Sequence, residues 1–233
     1  MSTLNRNSLE DGSFAEKLQL PPGMLWSAAK LEESLAATLL LRPAGELWVF
    51  AYGSLMWNPL LHYVARENAV LEGWHRSFCL KTVAGRGSND RPGRMLALEA
   101  GGRTEGVALK LDEESAGFEL KLLWAREMVA GSYEPRWERI TLQNGATASA
   151  LVFVVNKDNP HYEPESAVTA IAPLIATAGG SIGSNAEYVC HLDFALADAG
   201  LEDSYVDALV CELKRAMDAG AEAGRRGRAA GGG

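Results

Sequence analysis

The sequence predicts an α+β protein: a small mixed β-barrel or strongly curled sheet with flanking helices. Three observations carry this. Strand-like runs cluster in the middle of the 233-residue chain, helical periodicity occupies its ends, and the two do not alternate as they do in parallel α/β proteins. The strand-like runs number six or seven and are short, a pattern that suits a closed or curled sheet.

The elements follow in order. Residues 1–22 are polar, end in Pro21-Pro22 and read as a loose leader. Residues 25–41 have helical periodicity, closed by Pro43 and Gly45. LWVFAYGSL at 47–55 is an apolar, aromatic strand that ends in a Gly-Ser turn. Further strands are expected at 69–74, 77–83, 94–99 and 104–111, separated by turn signals such as GRGSNDRPG at 85–93 and Gly101-Gly102. A strong helix at 113–129 precedes strands near 132–142 and 147–155. Helices near 165–177, 185–197 and 202–217 complete a single domain over residues 23–217. GGSIGS at 179–184 lacks the lysine and the preceding strand of a phosphate loop and reads as a linker between helices. The Gly/Ala/Arg tail at 218–233 is expected to be disordered.

Composition narrows the function. With 47% apolar residues the chain can bury a real core. Its net charge of −8 argues against nucleic acid and anionic membranes as partners. No stretch of 18 apolar residues is present, so no membrane span is expected. The N-terminus lacks the basic-then-apolar order of a secretory signal. Cys79, Cys190 and Cys211 are odd in number and scattered, which fits a reducing cytoplasm rather than a disulfide framework. The four histidines form no metal-ligand spacing, so no metal and no cofactor are expected. Cys190-His191 is an adjacent pair; a Cys-dependent hydrolase is a distant alternative.

Three features carry chemistry. Tyr52-Gly53-Ser54-Leu55 follows a buried strand, and a glycine there lets backbone N–H groups turn toward a carboxylate or an oxyanion. Alone, it is also what a plain strand-to-loop turn looks like. Glu127 shares a helical face with Leu120, Leu123 and Trp124, in the last turn where the helix dipole disfavours an anion. Burial there would raise its pKa and suit it to moving protons; bending to solvent or pairing with Arg126 or Lys121 is the structural alternative. Finally, residues 74–94 hold Arg76, Lys81, Arg86, Arg91 and Arg94 against one acid, Asp90, a local positive charge that could steer an anionic substrate.

VFAYGSLMWNP at 49–59 resembles the signature of the γ-glutamyl cyclotransferase superfamily, and its Trp57-Asn58-Pro59 continuation resembles the ChaC branch. RGSNDRPGRMLALE at 86–99, GVALKL at 106–111, REMVAGSYEPRW at 126–137 and NAEYVCHLDFALADAGLEDSYVDAL at 185–209 fit the same branch in the same order. The resemblance spans about residues 47–210. It implies an enzyme that cyclises the γ-glutamyl group of glutathione to 5-oxoproline and releases Cys-Gly, with the 52–55 loop gripping the γ-glutamyl moiety. Glu127 matches the family's general acid/base. Arg86 and Arg94 match positions in the RG…PG segment, and Tyr133 and Tyr188 gain a polar role in substrate binding. The alternatives are the same chemistry on other γ-glutamyl peptides or amines, or a non-catalytic γ-glutamyl-binding domain. The oligomeric state is not legible in the sequence.

Overall fold

A computed structural model describes residues 5–21 and 23–230, with side chains described to residue 220. The elements in chain order are α1 (Arg6–Glu10), α2 (Ser13–Leu18), α3 (Ala28–Leu40), β1 (Trp48–Ala51), a 3-10 turn (Ser54–Met56), β2 (Ala65–Thr82) and β3 (Gly93–Lys110). They continue with α4 (Ala116–Glu127), β4 (Tyr133–Leu142), β5 (Thr147–Val155), α5 (Val168–Thr177), β6 (Gly179–Gly180), β7 (Gly183–Ser184), α6 (Asn185–Asp198) and α7 (Ser204–Ala230).

Five strands close into a barrel in the order β1-β3-β2-β4-β5. The barrel is mixed because β1 runs parallel to β5, pairing Trp48 with Ala150 and Val49 with Leu151, while every other pair is antiparallel. The four central strands expected from the sequence are two long ones. β2 and β3 pair from Ala65↔Lys110 to Thr82↔Gly93, with register shifts at Glu72/Trp74 and Ser77/Leu80. Gly73 at φ +83° and Gly101 and Gly102 at φ +103° and +73° sit at the first shift. These glycines bend the ribbon instead of ending it, as bulges do, and a bent 18-residue strand can serve two sides of a small barrel. GGSIGS, expected as a plain linker, forms the two-stranded hairpin β6–β7.

One apolar cluster runs through the molecule. Phe50, Leu71, Leu98, Leu109 and Val152 fill it from the strands, and Leu120, Leu123 and Trp124 come from the inner face of α4. α6 starts from a capping box: Ser184 Oγ accepts from Glu187 N (3.1 Å), and the Glu187 carboxylate accepts from Ser184 N (2.9 Å). That start sets the helix phase, so Asn185, Tyr188, Val189 and Leu192 all point inward.

Both ends of the chain differ from expectation. The leader is docked, not loose. Leu9 and Phe14 are buried, and the Arg6 guanidinium grips buried Glu119 through two bonds of 2.8 Å. Its apolar residues lie too far apart for one helical stripe, but two short helices broken at Gly12 bring them to one side. Residues 1–4 and 22 of that expectation lie outside the described residues. At the other end α7 carries the backbone through Ala230, because Ala, Glu and Arg are good helix formers even where Gly intervenes. Residues 231–233 lie outside the described residues. No helix among the described residues is long and apolar enough to cross a membrane.

Candidate active site

A cavity of about 450 Å³ opens at one end of the barrel, a size that suits a small-molecule ligand. Tyr52, Gly53, Ser54, Leu55, Arg86, Glu127, Tyr133 and Tyr188 all line it. Residues separated by more than 130 positions in the chain thus meet because β1, α4, β4 and α6 converge there.

The 52–55 loop is shaped by glycine. A Cβ on Gly53 would lie 3.0 Å from the Tyr188 hydroxyl and 3.2 Å from Leu96 Cδ2, so only glycine lets α6 bring Tyr188 against the turn. Past Gly53 the chain tightens at once into the 3-10 turn, with Met56 N donating to Gly53 O at 2.8 Å.

Two buried arginines hold this loop. Arg76 Nε donates to Tyr52 O (2.8 Å), and its Nη1 pairs with Asp203 at 2.7 Å. Arg126 Nη2 donates to Ser54 Oγ (2.7 Å), and its Nη1 donates to Asn58 O and to Pro59 O, the latter at 3.1 Å. The remaining Arg126 nitrogen, Nε, lies 3.0 Å from Glu127 Oε1. One guanidinium therefore spans from the 52–59 loop to the Glu127 carboxylate. Arg126 was legible only as a surface partner for Glu127. Its position three and four residues after buried Leu123 and Leu122, on the same stripe, is the signal that places it inside.

Glu127 ends α4 with its carboxylate facing the cavity. Oε1 is buried, and the Arg126 contact lacks the alignment of a hydrogen bond. Burial pushes its pKa above the ordinary carboxylate value, and the Arg126 charge opposes that rise only in part. The three tyrosines are neutral phenols, all raised chiefly by burial, Tyr188 to about 12. Tyr52 donates to Phe153 O (2.6 Å) and Tyr133 to Leu96 O (2.9 Å), which leaves their oxygens able to accept. Tyr188 receives a hydrogen bond from the Ser54 backbone, which leaves its own proton to offer a ligand.

The basic segment divides. Arg86 stands at the cavity, its Nη1 donating to Ser184 O (2.7 Å) and its guanidinium 5.5 Å from the centre of the Tyr188 ring. Lys81 lines the cavity as well. Arg94 does not. Its backbone N–H and C=O are both held by the buried Asn185 side chain (2.7 and 2.8 Å), and its guanidinium reaches toward Glu163 at 4.0 Å. The next two residues of β3, Met95 and Leu96, do line the cavity, but Asn185 ties Arg94 to the start of α6 and its guanidinium turns to Glu163 instead. Arg76 is taken up by Asp203, and Arg91 is exposed. His191 and His161 line the cavity, but no cysteine does; Cys190 is exposed, so the Cys-His pair points two ways. Among the described residues no group of three or more His, Cys, Asp or Glu side chains is arranged to hold a metal.

Known proteins resemble this chain in sequence and in fold. The family model described as "ChaC-like protein" matches residues 47–216. The glutathione-specific γ-glutamylcyclotransferase of Escherichia coli is 47% identical over 195 residues, covering 83% of this chain and 84% of that protein. The human glutathione-specific γ-glutamylcyclotransferase 1 is 34% identical over 170 residues, covering 70% and 77%. Among solved structures, the yeast γ-glutamyl cyclotransferase specific to glutathione superposes with a TM-score of 0.68 at 23% identity, covering 74% of this chain and 97% of that one, a likeness of fold. From barrel, cavity and sequence together, this chain belongs to the ChaC-like family.

Proposed function

We propose that this protein cleaves glutathione by intramolecular cyclisation, releasing 5-oxoproline and Cys-Gly, with Glu127 as general acid/base. The observation that carries the reading is a half-buried carboxylate with one buried, incompletely satisfied oxygen, beside a glycine loop locked in place by Arg126. The relatives' glutathione specificity supports the choice of substrate.

The substrate supplies its own nucleophile. Its α-amine attacks the γ-carbonyl to close a five-membered ring, so orientation matters more than activation of a protein group. Glu127 takes a proton from the α-ammonium. The C–N bond to the ring nitrogen forms, the carbonyl pair moves onto oxygen, and that pair returns as the amide C–N bond to cysteine breaks. Glu127 then gives its proton to the departing amine, takes the second proton from the ring nitrogen and passes it to the released amine. One carboxylate thus serves both halves, and the products are neutral-lactam 5-oxoproline and Cys-Gly with its ammonium. A raised pKa suits this exchange, because it makes the carboxyl a better proton acceptor than an ordinary carboxylate. The backbone N–H groups of Gly53 and Leu55 and the Tyr188 hydroxyl, itself held by the Ser54 N–H, are the donors for the developing oxyanion. The phenol oxygens of Tyr52 and Tyr133 can accept from the ammonium. Arg86, with Lys81, takes the distant glycine carboxylate; Arg94 supports the strand that carries Met95 and Leu96. The site lies on a single domain that takes in the docked leader as well as residues 23–217 and works in the cytoplasm.

The test is incubation with glutathione and with γ-Glu-Ala, without added metal, following 5-oxoproline. Release from glutathione at a clearly higher kcat/KM supports the reading. Equal turnover of both would assign a general γ-glutamyl cyclotransferase, and no release from either would leave a binding domain. Activity lost to EDTA and restored by a divalent ion would overturn the metal-free mechanism.

A further inference from the structure

The leader supplies part of the cavity although it lies before residue 47, where the family match begins. Phe14, Leu18, Leu20 and Met24 all line the cavity. Phe14 is buried in the core, whereas Leu18, Leu20 and Met24 remain half-buried, so part of their apolar surface faces the cavity. The segment is tied down on both flanks. The Arg6–Glu119 fork anchors its start, Gly85 N donates to Leu18 O (3.2 Å) beside Arg86, and Trp26 N donates to Val129 O (2.9 Å) just past Glu127. The wall is thus fastened to the two segments that bear the cavity's basic and acidic groups.

We propose that Leu18, Leu20 and Met24 form the subsite for the side chain of the residue that follows the γ-glutamyl group, making the leader a determinant of substrate specificity. This rests on the cyclotransferase reading. The charged and hydroxyl groups of the cavity, Glu127, Arg86, Lys81, Tyr133 and Tyr188 among them, come from other elements and suit the substrate's charged ends. The leader's lining residues are all apolar. Between the two charged ends of glutathione lies a methylene and a thiol, a small, soft, weakly polar group of the kind that packs well against leucine, methionine and an aromatic edge.

The test compares kcat/KM for glutathione, γ-Glu-Gly-Gly, which lacks that side chain, and γ-Glu-Lys-Gly, in the full chain. The wild type should prefer glutathione. A triple variant, Leu18→Ala with Leu20→Ala and Met24→Ala, should lose roughly tenfold on glutathione but little on γ-Glu-Gly-Gly, the scale set by removing apolar contact to one small group. Met24→Glu should shift the preference from glutathione toward γ-Glu-Lys-Gly, a change of selectivity that mere loss of stability cannot produce. Unchanged substrate ratios in both variants, with glutathione still turned over, would overturn the subsite and leave the cyclotransferase reading intact. No 5-oxoproline from the wild type with any of the three peptides would overturn that reading, and the subsite with it.

Discussion

Helix α4 carries a glutamate near each end, Glu119 buried and Glu127 half-buried with one oxygen fully covered, and they live in opposite electrostatic worlds. Glu119 stands in the first turn, where the helix dipole favours an anion. It accepts two bonds of 2.8 Å from Arg6 and one of 3.0 Å from His62 N. Burial pushes its pKa up, but Arg6 and the His62 N–H outweigh that, and it lies below the ordinary value. Glu127 is the last residue, where the dipole opposes it, and its one ion pair, with Arg126, is poorly aligned. Burial dominates, and its pKa is raised. The same side chain on the same helix is a structural anchor at one end and, in the proposed function, a proton carrier at the other. Position along the dipole and the number of donors decide which.

The largest expected effect breaks this comparison at its reactive end. Glu127→Gln should lower turnover by roughly 10²-fold or more, the usual scale of general acid–base catalysis, while glutathione binding survives and the melting temperature holds or rises. A folded Gln variant with near wild-type 5-oxoproline release would show that another group moves the proton. Arg126→Leu removes the charge that restrains the Glu127 pKa and three bonds to the 54–59 loop. Turnover should fall by roughly 10- to 10²-fold through misplacement of the loop. The acid limb of the kcat/KM profile should also move to higher pH, a shift that a purely structural defect would not cause.

The structural end responds differently. Glu119→Gln leaves Arg6 with only Glu10 as a carboxylate partner and should cost about 3 kcal/mol in a denaturant titration, the low end of the range for breaking a buried pair because Arg6 keeps Glu10 and some solvent contact. Its saturated turnover should change far less than that of Glu127→Gln. Strong loss of turnover at unchanged stability would reverse the two roles.

The smallest effects are in the pH dependence of stability, and their signs are opposite. The Glu119 pKa is depressed on folding, so its contribution is present above about pH 4.5 and is lost as pH falls through the folded value. The Glu127 pKa is raised, so the folded protein binds the extra proton. Its contribution is present below about pH 4.5 and is lost as pH rises through the folded value. Glu119→Gln should therefore flatten the acid side of the stability curve and Glu127→Gln the side above it. Unfolding free energies measured from pH 3 to 8 on both variants check this; slopes of the same sign would refute the contrast.

Local pattern alone determined much of this protein. The 3.6-residue period placed Leu120, Leu123, Trp124 and Glu127 on one inward face of α4, and the apolar run before Gly53 marked β1 and its turn. These are short-range properties, set by backbone geometry and the need to bury one face. Tertiary structure decided the rest. Gly101-Gly102 reads as a turn but becomes a bulge, because the pairing of β2 with β3 continues past it. Arg94 shares its segment with Arg86, yet Asn185 and Glu163 hold it away while Arg86 stays at the cavity. Arg126 becomes the clamp between loop and carboxylate because Asn58 and Pro59 present carbonyls to it from 68 and 67 positions away. The leader becomes a wall because Glu119, 113 positions from Arg6, sits buried and in need of a cation. In each case the deciding partner is distant in the chain, and an unsatisfied polar group or an open strand edge chooses it only once the barrel has closed.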